Sequence, residues 1–289
     1  TALNPGDRGP GTRRRMETYA DRCPPLAAEA PARALSDAEA DPASITHLVT
    51  VSCSGFHAPG IDSLLIDRLD LRPEVERTHV GFMGCHGAIN GLRVSRAFCG
   101  TDPRARVLLC AVELCSLHFQ FSDLPDLIVA NSLFADGAGA AVLGMDGGES
   151  WRIVATGSCL FPDSLDAMSW TIGDHGFTMT LSARVPDLIA AHLRPWFERW
   201  LGAQGLGRNE IRSWAVHPGG PRILDAVEQA LELPPEALAE SRAVLRDCGN
   251  MSSPTIMFII ERLRRSQQPT PCVALAFGPG LVAEAALLR

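Results

Sequence analysis

The feature that most restricts the fold is a set of short, continuously apolar runs that stop at glycines or small polar residues. Residues 107–112 (VLLCAV) are apolar at every position, as a strand has to be when both faces of its sheet are covered. Residues 45–52 (ITHLVTVS) and 272–277 (CVALAF) read the same way, and 214–217 (WAVH) is a shorter version. Between these runs the apolar residues recur at helical spacing. Ile61, Leu64, Leu65 and Leu69 share one face, as do Leu188, Ile189, Leu193, Phe197, Trp200 and Leu201, where Pro195 predicts a kink. Further helices are expected over 26–35, 125–134, on Ile223, Leu224, Val227 and Leu231, over 235–246 and over 255–263, the last with Ser253 as N-cap and Pro254 at its first position. A short strand is expected at 140–143, and strands and loops over 151–182 around Trp170, Asp174, His175 and Gly176. The aromatic residues of the 188–201 stripe read as core. Residues 1–15 read as a loop whose Arg13, Arg14 and Arg15 are a solvated basic run. The class is α/β. Each half carries a strand, a glycine-containing loop and a chemically capable residue just before a helix, which suggests a duplicated unit divided as 1–148 and 149–289.

Residues 81–88 (GFMGCHGA) form the most informative turn. An apolar run reaches a glycine, then one cysteine, then a small-residue helix start, continued by Ile89, Leu92 and Ala97. Cys85 therefore sits where unpaired backbone N–H groups and the helix dipole favour negative charge, which predicts a lowered thiol pKa and a nucleophile. Read alone, it could equally be a small buried thiol without chemistry.

Composition removes several classes. The formal net charge of −7 argues against non-specific nucleic-acid binding. There is no lysine among the 26 basic residues, which removes Schiff-base and P-loop chemistry. Nine cysteines without a C-x-x-C pair, scattered through apolar runs, point to reduced thiols in a cytoplasmic protein. No stretch reads as a membrane span or signal peptide. The chain opens at Thr1 without methionine, and a preceding segment is expected.

Cys85, His217 and Asn250 stand at three element ends. Acyl transfer through a thioester needs a thiolate and donors for the tetrahedral oxyanion; an imidazole and an amide can supply the latter. Each residue also has an ordinary reading, as a strand-end histidine or a turn asparagine. Taken together, Gly84-Cys85, His217-Pro218-Gly219-Gly220-Pro221, Gly249-Asn250-Met251-Ser252-Ser253 and Phe277-Gly278-Pro279-Gly280 resemble the signatures of type III polyketide synthases, the chalcone-synthase-like family of the thiolase superfamily. Leu133-Phe134-Ala135-Asp136-Gly137-Ala138 resembles a fifth, with Ala135 where glycine is usual. The resemblance runs from about residue 8 to the end.

The resemblance implies a thiolase-like layered αβαβα fold and a homodimer. It implies that Cys85 takes a starter from an acyl-CoA, that His217 and Asn250 assist malonyl-CoA decarboxylation, and that repeated condensation ends in cyclisation. No metal or bound redox cofactor is implied; acyl-CoA and malonyl-CoA are substrates. Phe134 matches one gatekeeper phenylalanine and Met179 the other, with Phe177 close by. Cys53, Cys115 and His118 stand where plant members carry threonine, Trp170 near a glycine position, and Ala58 where a methionine reaches across the dimer interface. Ser252 and Pro279 match cavity-lining positions, and Arg8 and Arg222 stand near the CoA mouth. Cys115 and the run Leu117-His118-Phe119 look like bacterial members that make alkylpyrones or alkylresorcinols, so an aliphatic starter is expected. Two other readings remain: a ketoacyl synthase of the initiating type, whose relatives lack the 277–280 ending and need a carrier protein, and a catalytically silent thiolase-fold protein.

Overall fold

The computed structural model describes residues 6–145 and 151–289; residues 1–5 and the expected junction at 148 lie outside them. The first half runs α1 (Thr12–Asp37), β1 (His47–Ser52), α2 (Ile61–Arg68), β2 (Glu76–Gly81), α3 (Gly87–Thr101), β3 (Val107–Leu114), α4 (Pro125–Leu133) and β4 (Asp136–Leu143). The second half runs β5 (Ile153–Leu160), β6 (Met168–Gly173), β7 (Gly176–Leu181), α5 (Val185–Gly202), β8 (Ser213–Val216), α6 (Pro221–Leu231), α7 (Ala239–Cys248), α8 (Thr255–Arg265), β9 (Cys272–Gly278) and β10 (Val282–Leu288). One sheet has the order β2-β1-β3-β4, parallel except between β3 and β4. The other has the order β5-β10-β9-β8, parallel only between β8 and β9. β6 and β7 form a separate two-stranded ribbon.

The strand sequences dictate the layering. In β3, Val107, Leu109 and Ala111 pack with α3 and α8 in a central core, while Leu108, Cys110, Val112 and Leu114 point the other way, toward α1 and α2. In β9, Cys272, Ala274 and Ala276 face the same central core, and Val273, Leu275 and Phe277 face α5 and α6. Side chains alternate along a strand, so a strand with a core on each side has to be apolar throughout. The result is helix, sheet, helix, sheet, helix, with α3 and α8 as the shared middle layer.

Several expectations need correction. α1 begins at Thr12, inside the segment read as a loop. Arg13 and Arg14 are exposed, but Arg15 is buried and donates to the carbonyls of Pro10, Leu117 and Phe119. Its Nε and Nη1 are satisfied by backbone oxygens while Nη2 is buried without a partner, and the residue ties α1 to the loop after β3. Ser253 does not cap α8; its hydroxyl donates to Glu113 at 2.6 Å. Ala97 is exposed, and Ser95 and Cys99 carry the buried face of α3 onward. β4 starts at Asp136 rather than 140, because its small residues pair with all of β3. The helix expected over 235–246 splits into a 3-10 turn, Pro235–Leu238, and α7. β10 had no prediction; Val282–Leu288, rich in alanine, becomes a strand because β5 and β9 bracket it.

Candidate active site

β2 ends at Gly81, and the chain reaches α3 through a 3-10 turn, Gly84–His86. Two glycines make the turn possible. Gly84 has φ +77 and faces the Pro279 ring, where a Cβ would collide. Gly278 abuts the His86 ring just as closely. The Cys85 turn and the 277–280 turn therefore interlock, each supplying the glycine that admits the other's ring. Phe82 (φ 58) takes a left-handed conformation with a full side chain.

Cys85 is buried, and burial pushes its thiol up to about 11; the Ser252 hydroxyl, the Asn250 amide and its own backbone pull the other way. This corrects the expected low pKa. The helix start does favour the thiolate, but desolvation outweighs it in the resting site. Asn250 is fixed from both sides. Its N–H donates to Leu133 O (2.8 Å), and its carbonyl accepts from Ala135 N (2.9 Å), which brings Phe134 alongside. Its Oδ1 accepts from Ser252 N at 2.8 Å, so Nδ2 points outward, 3.5 Å from Gly219 O. That contact joins the start of α8 to the loop after β8, where Pro218 ends the strand one residue beyond His217. Ser252 itself sits at φ 57.

His217 donates its backbone N–H to Leu275 O (2.8 Å), but among the described residues neither ring nitrogen has a partner. Burial brings its pKa down to about 3, with His86 adding to the effect. The ring is therefore neutral near pH 7, with one nitrogen free to accept a proton and the other to donate a hydrogen bond.

Beside this lies a narrow cavity of about 40 Å³, lined by Cys115, His118, Phe134, Trp170, Phe177 and Met179 among others. His118 is wall rather than reagent. Its Nε2 donates to Ser54 O at 2.5 Å, its Nδ1 accepts from Phe177 N at 2.9 Å, and its ring stacks on Phe177 at 4.1 Å. Its pKa is brought down to about 4, chiefly by burial, with Arg15 adding to the effect. Trp170 Nε1 donates to Cys53 O at 2.8 Å, fixing the indole on the same face of the ribbon as Met179, its cross-strand partner. Phe177 and Met179 both line the space, the first fully buried and the second half-buried.

The sequence reading missed Glu113. Fully buried at the end of β3, it accepts from Cys53 N (2.9 Å), Ser54 N (2.9 Å), Ser54 Oγ (2.6 Å) and Ser253 Oγ (2.6 Å). Cys53 Sγ lies 3.3 Å from Glu113 Oε1 and 3.5 Å from Ser252 Oγ. Burial raises the Glu113 pKa against these donors, and pushes Cys53 and Cys115 well above the ordinary thiol value. An acidic residue closing an otherwise apolar strand was the signal that could have found it. Arg8 and Arg222 are exposed, with no described contact linking them to the cavity, and Ala58 is also exposed.

Residues 7–147 match the family profile described as chalcone and stilbene synthases, N-terminal domain, and residues 152–289 the profile for the C-terminal domain. A 1,3,6,8-tetrahydroxynaphthalene synthase of Streptomyces peucetius subsp. caesius is 39% identical over 91% of this chain and 72% of its own length. A bisdemethoxycurcumin synthase of Oryza sativa subsp. japonica is 36% identical over 95% of this chain and 73% of its own. The alpha-pyrone synthesis polyketide synthase-like Pks18 of Mycobacterium tuberculosis (strain ATCC 25618 / H37Rv) is 33% identical over 97% and 74%. The crystal structure of PKS-I from the brown alga Ectocarpus siliculosus superposes with a TM-score of 0.93 at 34% identity, covering 100% of this chain and 80% of that one.

Proposed function

The chain belongs to the chalcone and stilbene synthase family, the type III polyketide synthases, and from that membership we propose that it loads an aliphatic acyl starter from coenzyme A onto Cys85 and extends it with malonyl-CoA to a pyrone or resorcinol-type product. It is an acyltransferase with a thiolase-like α/β fold. What supports the residue assignment is that the Asn250 amide and the Ser252 hydroxyl both draw the Cys85 thiol pKa down, that Asn250 Nδ2 lies 3.5 Å from the carbonyl of Gly219, two residues after His217, and that the buried His217 ring has both nitrogens free of protein partners among the described residues.

In loading, Cys85 Sγ attacks the thioester carbonyl as its proton passes to His217. The carbon–sulfur bond to CoA breaks, and His217 returns the proton to the departing CoA thiolate. With the thiol near 11 and the imidazole near 3, the proton moves as the bond forms rather than beforehand. In extension, malonyl-CoA loses its carboxylate as CO₂. Its thioester oxygen becomes an enolate held by N–H donors from His217 and Asn250 Nδ2. The enolate carbon attacks the acyl carbon, and the bond to Cys85 breaks, leaving its sulfur free for the next cycle.

The starter preference rests on the cavity wall. Met179 is a flexible side chain at a gatekeeper position, and Trp170 caps the length of chain that fits. Mass spectrometry of products from malonyl-CoA and starters from acetyl- to palmitoyl-CoA, plus aromatic ones, tests both points. Aliphatic starters should give products grown by decarboxylated malonyl units, and Trp170→Ala should move the optimum to longer chains. Preference for an aromatic starter, or an optimum unmoved in the variant, would refute the assignment of this wall.

We read the protein as a homodimer. β2 is an edge strand whose outer side has no partner among the described residues, and the turn after it exposes Phe82 and Met83, a surface that a second copy would cover. Sedimentation should return twice the chain mass of 31.0 kDa; a monomer at micromolar concentration would argue against it. Arg8 and Arg222 as contacts for CoA phosphates belong to the same reading, as does the division into halves near residue 148.

A further inference from the structure

The cavity lined by Cys115, Phe134 and Trp170 has a volume of about 40 Å³, room for a few waters at most. Each malonyl extension adds a two-carbon unit to the chain it has to hold, so part of its wall yields as the chain grows. One side is fixed from behind. Trp170 donates to Cys53 O, His118 to Ser54 O, and Phe177 N to His118 Nδ1. The other side is α4, which gives Leu127, Ala130 and Asn131 to the lining. No described residue of α4 is buried, and Ile128 and Val129 are each more than half exposed. No second layer of this chain backs the helix.

Two attachments locate α4. At its C-terminal end, Leu133 O accepts from Asn250 N at 2.8 Å. In its last turn, Asn131 grips the backbone of Gln120 at two points. Its Oδ1 accepts from Gln120 N at 3.0 Å, and its Nδ2 donates to Gln120 O at 2.7 Å. Among the described residues these are the only side-chain hydrogen bonds from α4 to another part of the fold. Gln120 passes the position on. Its Nε2 donates to His118 O at 2.9 Å and Phe177 O at 3.1 Å, with His175 O further off at 3.5 Å. β7 is thereby held through both the N–H and the carbonyl of Phe177. Asn131 and Gln120 are thus two links in series between α4 and the ribbon that carries Trp170 and Met179. We infer that they are positioning residues that set the gap between α4 and the β6–β7 ribbon, and through it the number of malonyl units added before the chain cyclises. The inference rests on the condensing-enzyme reading of this cavity. With either link cut, α4 gives way to a longer chain and cyclisation is postponed.

The test is the distribution of product lengths, read by mass spectrometry with malonyl-CoA and whichever starter from acetyl- to palmitoyl-CoA the wild type loads fastest. Cys85 acylation is followed beside it by intact mass. In Asn131→Ala the ratio of products longer by one malonyl unit to the main wild-type product should rise about threefold or more, the scale of one lost hydrogen bond, with loading changed less than twofold. Gln120→Ala should move the ratio the same way. The double variant should move it no further than the larger single change, because the links act in series. Ser132→Ala, which loses only a bond to Val129 O within α4, should leave it unmoved. A packing role alone would lower all products in proportion, or would let Ser132→Ala shift the ratio as well; either result overturns the inference. An unmoved ratio in Asn131→Ala overturns it too, and if that variant does not fold, an unmoved ratio in Gln120→Ala does so. Wild-type protein that extends no starter would overturn the condensing reading and this inference with it. Normal wild-type extension with unmoved variant ratios overturns the inference alone.

Discussion

Cys85→Ala should show no acyl adduct by intact mass after incubation with any acyl-CoA, and its polyketide output should fall by about a thousandfold or more. No neighbouring group can take over. The Ser252 hydroxyl is a far weaker acid than a thiol, and the Cys53 thiol is pushed well above its ordinary value by burial next to Glu113. Malonyl-CoA decarboxylation should survive in part, because His217 and Asn250 are untouched; CO₂ release without chain growth would separate their role from the nucleophile's. The same physics sets a pH signature in the wild type. The thiol is protonated below about 11, so inactivation by iodoacetamide should climb about tenfold per pH unit through the neutral range. An adduct mapped to another cysteine, or undiminished product from Cys85→Ala, would remove Cys85 from the mechanism.

Glu113→Ala carries the largest expected structural effect. The carboxylate gathers the Cys53 and Ser54 backbone N–H groups and the Ser54 and Ser253 hydroxyls, segments that follow β1 and precede α8. Removing it strands these buried donors and leaves a cavity, at a cost of about 3–5 kcal/mol. For a chain of this size that is a fall in Tm of roughly 6–20 °C. Loading should fall as well, because Ser253 adjoins Ser252 and Cys53 leads into the cavity wall. Glu113→Gln keeps the shape but turns an N–H toward the backbone donors, and should recover only part of the loss. A Tm within about 2 °C of wild type in the alanine variant would show that the hub contributes little.

The architecture was legible wherever burial on both faces wrote itself into the sequence. Residues 107–112 and 272–277 announced covered strands because every position had a core to face. β10 was not legible: its alanines and Glu284 carry no strand signature, and only pairing with β5 and β9 makes it one. The proposed triad comes from motif and chemistry, but the electrostatics of Cys85 and His217 could not be read that way. The helix start after Cys85 is visible in sequence, whereas the desolvation that outweighs it depends on the β9 turn and the α8 start closing over the thiol. Likewise, Arg15 in a basic run and Ser253 before a proline both followed sound local rules. Each was overridden by a distant partner, the carbonyls of Leu117 and Phe119 in one case and Glu113 in the other.

The left-handed residues at Phe82 and Ser252 have a consequence for how this protein could be improved. Each holds a conformation that a side chain disfavours by about 1 kcal/mol or more, and each stands within a few residues of the condensing centre. Glycine would relieve the strain at either position. A library selected for heat resistance alone would therefore drift toward Phe82→Gly and Ser252→Gly, gaining melting temperature while losing the hydroxyl beside Cys85 and the ring that packs on Phe177. Selection for turnover after a heat challenge would retain both side chains and draw its stabilising changes from the outer helices instead.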